Sequence, residues 1–287
     1  MLYKIANKSF ILEVNSYGAE ANSLVYNSLD ILRKKDEIWG RIAPLLFPIV
    51  GCLKDGYTII DGKKYSITKH GFLRDHDLKL VEKTDSKITL VDRYTIDTLK
   101  MFPFKYEAYV TYELFDNSVK TTIKIKNVDN VSFKYNIGGH PGFRCPLYDD
   151  ESFEDYRIVF DREESFYTPT YENDLWNFKK PNYTFDKVKE IKLDYKYFIP
   201  DAFVVKGVKS RTVSLLNKKS KGIRFHFDGF NTIAFWTKPN NKYLCFEPWN
   251  GYDDLVCSDH DYNKKEELIE IKPGEEKEVS YTIEVIW

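Results

Sequence analysis

Residues 119–126 read "VKTTIKIK", with Val119, Thr121, Ile123 and Ile125 on one parity and Lys120, Thr122, Lys124 and Lys126 on the other. Successive side chains of an extended chain point to opposite faces, so this stretch predicts a strand with one face on a core and one in water. The pattern spreads outward in both directions. Tyr106, Ala108, Val110, Tyr112 and Leu114 share a face just upstream. Ile223, Phe225 and Phe227 alternate with Arg224 and His226, and Val279, Tyr281, Ile283, Val285 and Trp287 line up near the end. Turn signals separate such runs: Asp55-Gly56, Asp61-Gly62, Asn250-Gly251 and "KPGEE" from Lys272. Asp61-Gly62, between "YTII" and "KKYSIT", predicts a two-residue hairpin. Stretches with a 3.6-residue period are nearly absent. The expectation is an antiparallel all-β protein, a large sandwich. No composition break, repeat or low-complexity tract divides it, which gives one domain over residues 1–287. The charged, Tyr-rich stretch from Asp149 to Lys196 reads as long loops over one face.

Lysine and arginine number 43 against 44 acidic residues, so no net field favours nucleic acid or a membrane surface. Aromatic residues make up 16% of the chain, a supply that suits pleated sheets and sugar-stacking surfaces equally. The opening "MLYKIANKSF" lacks the apolar core of a signal peptide. The most apolar run, "APLLFPIVG" from Ala43, carries two prolines and falls far short of the roughly 20 residues of a membrane helix. Cys52, Cys145, Cys245 and Cys257 show no CxxC spacing, so free thiols in a reducing cytoplasm are the expectation.

There is no GxSxG elbow, no GxxxxGK[ST] loop, no GxGxxG after a strand and no HExxH. Four places put polar residues in unusual company. "YNIGGHPGFRCPL", residues 135–147, frames His140 with glycines and a proline; it reads as a strand-ending turn or as a loop built to present the imidazole at a fixed angle. "KHGFLRDHD" sets His70 before a glycine, either as a turn histidine or as a site group. His76 in the same stretch reads as solvated, and His226 as part of a surface face. In "YLCFEPWNGYDD", Glu247 follows Leu244, Cys245 and Phe246 and leaves the strand end beside Trp249. A carboxylate there is either salt-bridged or functional. Asp201 in "YFIPDAFVV" opens an apolar strand, as a turn cap or as a member of an acid/base set with the two loop histidines and Glu247.

In combination these motifs resemble a known family. "APLLFPIVG" followed by "KDGYTIIDGKKYSITKHGF", then "GGHPGF", "PDAFVV" and "FEPWNGYDD", lie in order from residue 43 to 254. They are similar to galactose mutarotase-like, or aldose 1-epimerase, proteins, and most of all to the LacX-type branch. The resemblance implies a β-supersandwich of some two dozen or more strands with an open sugar cleft. It implies that His140 is the general acid and Glu247 the general base of anomer interconversion, with no metal and no cofactor. It further implies that His70 hydrogen-bonds the sugar and that Asp201 holds a hydroxyl. One departure stands out: galactose mutarotases carry an arginine where this chain has Cys52. Arg41, Lys54 and Arg74 are the candidates to replace it. Two rivals remain. One is a non-catalytic carbohydrate-binding protein that stacks sugars on Trp249, Trp236 and Tyr252. The other is a cupin-like metal enzyme with His70, His140 and Glu247 as ligands, for which the usual HxH pair is missing. The expected partner is a small-molecule sugar, with the chain a monomer or homodimer.

Overall fold

The computed structural model describes residues 1–286, so Trp287, placed above on the core face of the last strand, lies outside the described residues. The all-β expectation holds: twenty-three strands are interrupted by one α-helix among the described residues, Ile96–Met101. Thr95 caps it, its side chain accepting the Thr98 N–H.

The strand read first in the sequence, Ser118–Asn127, lies inside a nine-stranded sheet between Tyr106–Leu114 and Glu276–Ile286. Its antiparallel register sets Ile123 opposite Val110 and Val279, and Thr121 opposite Tyr112 and Tyr281. The parity of the sequence thereby becomes one continuous core-facing surface. Each large apolar side chain buried on it contributes about 1.5–3 kcal/mol. On the other face Lys124 and Lys126 both pair with Glu276.

A second sheet packs on this one. Its strands run in the order Phe203–Lys206, Thr232–Trp236, Tyr243–Asn250, Ile137–Gly139 and Leu45–Leu46, with Gly142–Arg144 also joined to Tyr243–Asn250. Phe246 ties the layers together, its ring centroid 4.9 Å from Phe235, 5.5 Å from Phe143 and 5.8 Å from Phe225 of the large sheet. Leu244 and Phe246 thus face the core, which turns Tyr243, Cys245, Glu247 and Trp249 to the outer side. All eight residues of this strand are buried.

The Asp61-Gly62 hairpin forms as read, joining Tyr57–Ile60 to Lys63–Ser66 with positive φ at both turn residues. Three expectations change. The Asp149–Lys196 stretch is not loop: it holds a long hairpin, Arg157–Glu172 with Leu175–Lys192, closed at Asn173-Asp174. Much of this hairpin faces water, so no apolar alternation marked it. Glu247 does not leave a strand end, because the strand continues through Pro248, which sits opposite Ile233. His76 is not solvated: it is half-buried, stacked on Phe72 at 5.1 Å, with Nδ1 3.1 Å from Asp92 Oδ2. The four cysteines are free. Among the described residues no helix is long and apolar enough to cross a membrane.

The hydrogen bond that His76 donates to the Asp92 carboxylate holds the imidazole pKa above its ordinary value, against the opposing effect of burial. The Tyr106 hydroxyl donates to the same carboxylate at 2.7 Å. A histidine whose folded pKa is raised adds stability below its unfolded value, about 6.5, and loses it as pH rises through the folded one. His76→Gln is therefore expected to lower the thermal midpoint below pH 6.5, by a stability change on the order of 1 kcal/mol. The gap to wild type should close on the alkaline side. Melting curves across pH check it, and a gap independent of pH would refute the ion pair.

Candidate active site

The outer face of Tyr243–Asn250 is the floor of a cleft of about 270 Å³. His140 reaches it from the short connection between Ile137–Gly139 and Gly142–Arg144. The glycines before it are required by close approach rather than by positive φ. A Cβ at Gly138 would stand 2.7 Å from the Trp249 ring, and one at Gly139 2.6 Å from Tyr281. The backbone carrying His140 is thus pressed against its neighbours on both sides.

His140 Nε2 lies 3.0 Å from Glu247 Oε2, with 9% and 2% of the two side chains exposed. Burial raises the Glu247 carboxyl pKa, and the adjacent His140 works against that rise. Aromatic rings enclose the imidazole: Trp39 at 4.9 Å between centroids, Trp236 at 5.7 Å edge-on, and the His70 ring also at 5.7 Å.

His70 and Gly71 form a left-handed turn, with φ of 66° and 72°. The Gly51 N–H donates to His70 Nδ1 at 3.0 Å, which leaves Nε2 as the protonated nitrogen. Burial, aided by His140 and nearby cations, pushes the His70 pKa well below its usual value. It is a neutral donor, built into the wall.

The other end of the cleft is charged. Lys69 Nζ lies 3.9 Å from Asp201 Oδ2 and donates to the Tyr171 hydroxyl at 3.2 Å. Burial raises the Asp201 carboxyl pKa, with Lys69 opposing. Burial alone would lower the Lys69 pKa, but Asp253 and Asp201 outweigh it and raise it. Asp253 accepts the Cys52 N–H at 2.7 Å and the Trp176 indole N–H at 3.0 Å. Arg74 donates to the Lys69 carbonyl, and burial together with Arg41 brings its guanidinium down to about 10.

His70, His140, Glu247, Asp201, Arg74 and Trp249 therefore share one cleft. Trp236 lines it too. Tyr252 does not: it is 1% exposed and packs on Phe178. Cys52 is half-buried beside Asp253, outside the cleft wall, its thiol raised to about 12 by burial and by that carboxylate. Of the three cations considered as replacements, Arg41 is held by Asp75 and the Arg74 carbonyl, and Lys54 by the Val256 and Ser258 carbonyls. Arg74 alone of them faces the cleft. Sequence reading passed over Lys69, Trp39, Trp176 and Asp253. Lys69 directly precedes His70 in "KHGF", but nothing in its own neighbourhood separates it from any surface lysine.

Residues 1–284 match the family model described as aldose 1-epimerase. The chain belongs to the aldose 1-epimerase family. It is 28% identical to the plasmid-borne protein LacX of Lactococcus lactis subsp. lactis, over all of both chains. It superposes with a TM-score of 0.94 on a galactose mutarotase related enzyme from Lactobacillus acidophilus, at 26% identity, covering 100% of this chain and 98% of that one. A galactose mutarotase-like protein from Lactobacillus casei shares the fold at a TM-score of 0.91 and 24% identity, covering 99% of this chain and 100% of that one. The β-supersandwich implied by the sequence motifs is the observed architecture.

The His70-Gly71 turn gives a direct test of how the wall is built. A Cβ at Gly71 would stand 2.1 Å from the Phe47 carbonyl oxygen, whereas one at Gly62, also at positive φ, meets nothing within 4 Å. Gly71→Ala is expected to cost more than about 2 kcal/mol and Gly62→Ala roughly 1 kcal/mol. Denaturant titrations of both variants check the order, and equal losses would contradict the packed turn.

Proposed function

We propose that this chain interconverts the α and β anomers of an aldose, with Glu247 as base and His140 as acid. The observation that supports it most is the 3.0 Å separation of two buried, oppositely acting groups on the floor of an open cleft. A hemiacetal carries its two reacting oxygens on one carbon, so its acid and base must converge on that carbon, each within hydrogen-bond reach of one oxygen.

Ionised Glu247 takes the proton of the C1 hydroxyl while protonated His140 gives one to the ring oxygen. The C1–O5 bond breaks and the aldehyde forms. After rotation about C1–C2, the C5 hydroxyl attacks the other face, returning its proton to His140 while Glu247 protonates the new C1 oxygen. Both catalysts end as they began. His70 Nε2–H, Asp201, Lys69 and Arg74 offer donors and acceptors for the remaining hydroxyls, and Trp39, Trp236 and Trp249 offer apolar faces to the ring carbons. One apolar cluster runs from Ile5 to Val285, which supports reading the chain as one domain. Free thiols suit a cytoplasmic setting.

The half-exposed Trp39 and Trp236 would also suit a sugar-binding protein without catalysis. Substitution separates the two readings. Glu247→Gln and His140→Asn are each expected to lower kcat by about 10²–10⁴-fold with sugar affinity nearly retained. Polarimetry or NMR on freshly dissolved α-anomers of a panel of aldoses measures it. Wild-type chain that accelerates no aldose would leave the binding reading standing.

Burial of Glu247 also fixes a sign. Its folded pKa is raised, so the base ionises later than an ordinary glutamate of about 4.3. The acidic limb of kcat/KM is therefore expected above that value, and the residual rate of Glu247→Gln should lack it. A limb at or below the ordinary carboxylate value would exclude Glu247 as the base.

A further inference from the structure

We propose that His140, Cys245 and Glu247 form a site for a thiophilic divalent cation, zinc above all, and that its occupation switches the cleft off. The metal site stands on geometry alone; the inhibitory half rests on the acid–base reading above.

Cys245 and Glu247 are two residues apart on the Tyr243–Asn250 strand and so project from the same face. Cys245 pairs across the sheet with Gly142, two residues beyond His140, which brings the histidine over the same stretch of floor. One ligand atom from each residue lies within 4.8 Å of the other two, and all three residues are buried. Among the described residues no other group of three His, Cys, Asp or Glu side chains converges in this way.

The donor set is specific. A thiolate, an imidazole and a carboxylate suit zinc in a four-coordinate site with three protein ligands and one open position, whereas magnesium and calcium favour all-oxygen shells. Bonds of about 2.0–2.3 Å set donor–donor separations of about 3.3–3.8 Å in a tetrahedron, so small side-chain rotations close the observed spacing. Two of the three ligands ride on one strand held on its core side by Phe246; His140 and Glu247 line the cleft and meet an entering cation first, while Cys245 is fully buried next to them. His140 Nδ1 is buried without a hydrogen-bond partner among the described residues, so no second bond locks the ring against such a rotation.

Binding has a balanced chemistry. The Cys245 thiol loses its proton to solvent as the S–Zn bond forms, and the cation sheds water molecules as His140 gives its nitrogen lone pair and Glu247 its carboxylate oxygen. With both groups coordinated, neither can donate or accept a proton, and the sugar's C1 region is blocked. Cys245 itself has no part in the acid–base cycle.

The test uses the full chain stripped by chelator, Co²⁺ as spectroscopic probe and Zn²⁺ as inhibitor. One equivalent of Co²⁺ is expected to give the intense visible bands of a four-coordinate ion and a thiolate charge-transfer band. Cys245→Ser should lose the charge-transfer band, while Cys257→Ser, which removes the exposed thiol, should keep it. In the anomer assay Zn²⁺ should raise KM without lowering kcat. Cys245→Ala should match wild type without metal and need at least about tenfold more zinc for equal inhibition. A cobalt spectrum lacking the thiolate band, or one unchanged by Cys245→Ser, overturns the site, and turnover that rises with zinc overturns its inhibitory role. If the stripped wild type turns over no sugar, the cobalt spectra still decide the site, so the two readings fail separately. Should Cys245→Ser lose its near-ultraviolet circular dichroism, Glu247→Gln serves instead: an unaltered cobalt spectrum there overturns the proposal.

Discussion

Glu247 is a carboxylate taken almost wholly out of water in the middle of a strand, and the rest of the cleft is arranged around the consequences. Moving such a group into a protein interior costs several kcal/mol, which attraction to a partner offsets only at close range. His140 stands 3.0 Å away and meets that condition. Removing one member of a buried pair typically costs about 3–5 kcal/mol, because the other is left without compensation. The pair therefore constrains the backbone on both sides: the strand that carries Glu247 and the glycine-framed connection that carries His140 must stay in fixed relation.

That relation is set by sheet register. Phe246 anchors the strand in the core between Phe225 and Phe235, which fixes the parity that turns Glu247 outward. A slip of one residue would bury Phe246 in the cleft and drive the carboxylate into the sandwich. Small residues across the sheet then make room for the outward-facing ones. Ala234 lies opposite Glu247, Gly138 opposite Trp249 and Gly142 opposite Cys245. The cleft is as much a product of these missing side chains as of the groups that line it.

This explains which parts of the molecule the sequence reveals. Strands with one wet face and one dry face, such as Ser118–Asn127, alternate visibly, and the Asp61-Gly62 turn declares itself through positive φ. The Arg157–Lys192 hairpin hides because water bathes much of both its faces, and a charged strand looks like a charged loop. Glu247 was legible as a carboxylate in apolar company, but Pro248 suggested a strand end. The missing N–H of Pro248 is tolerated within a ladder that continues to Asn250. Lys69 and Asp253 were illegible for a different reason. Their character comes from each other and from Asp201, three positions far apart in the chain whose proximity exists only once the sheets have formed.

The same distant residues give the cleft a direction. At the His140 end, Trp39 and Trp236 replace water with rings, which strengthens any charge interaction made there. At the other end Asp253 binds the Cys52 N–H and the indole of Trp176, a residue beside the tip of the long hairpin, and so staples that hairpin to the wall that holds Lys69 and Asp201. In the proposed reading a sugar lies along this gradient, with C1 in the aromatic end where proton transfer profits from exclusion of water. Its far hydroxyls meet the charged end, where donors and acceptors are abundant. In that reading selectivity among sugars belongs to the hairpin-stapled end and rate to the aromatic end, which gives the long hairpin, nearly featureless in sequence, a part in substrate choice.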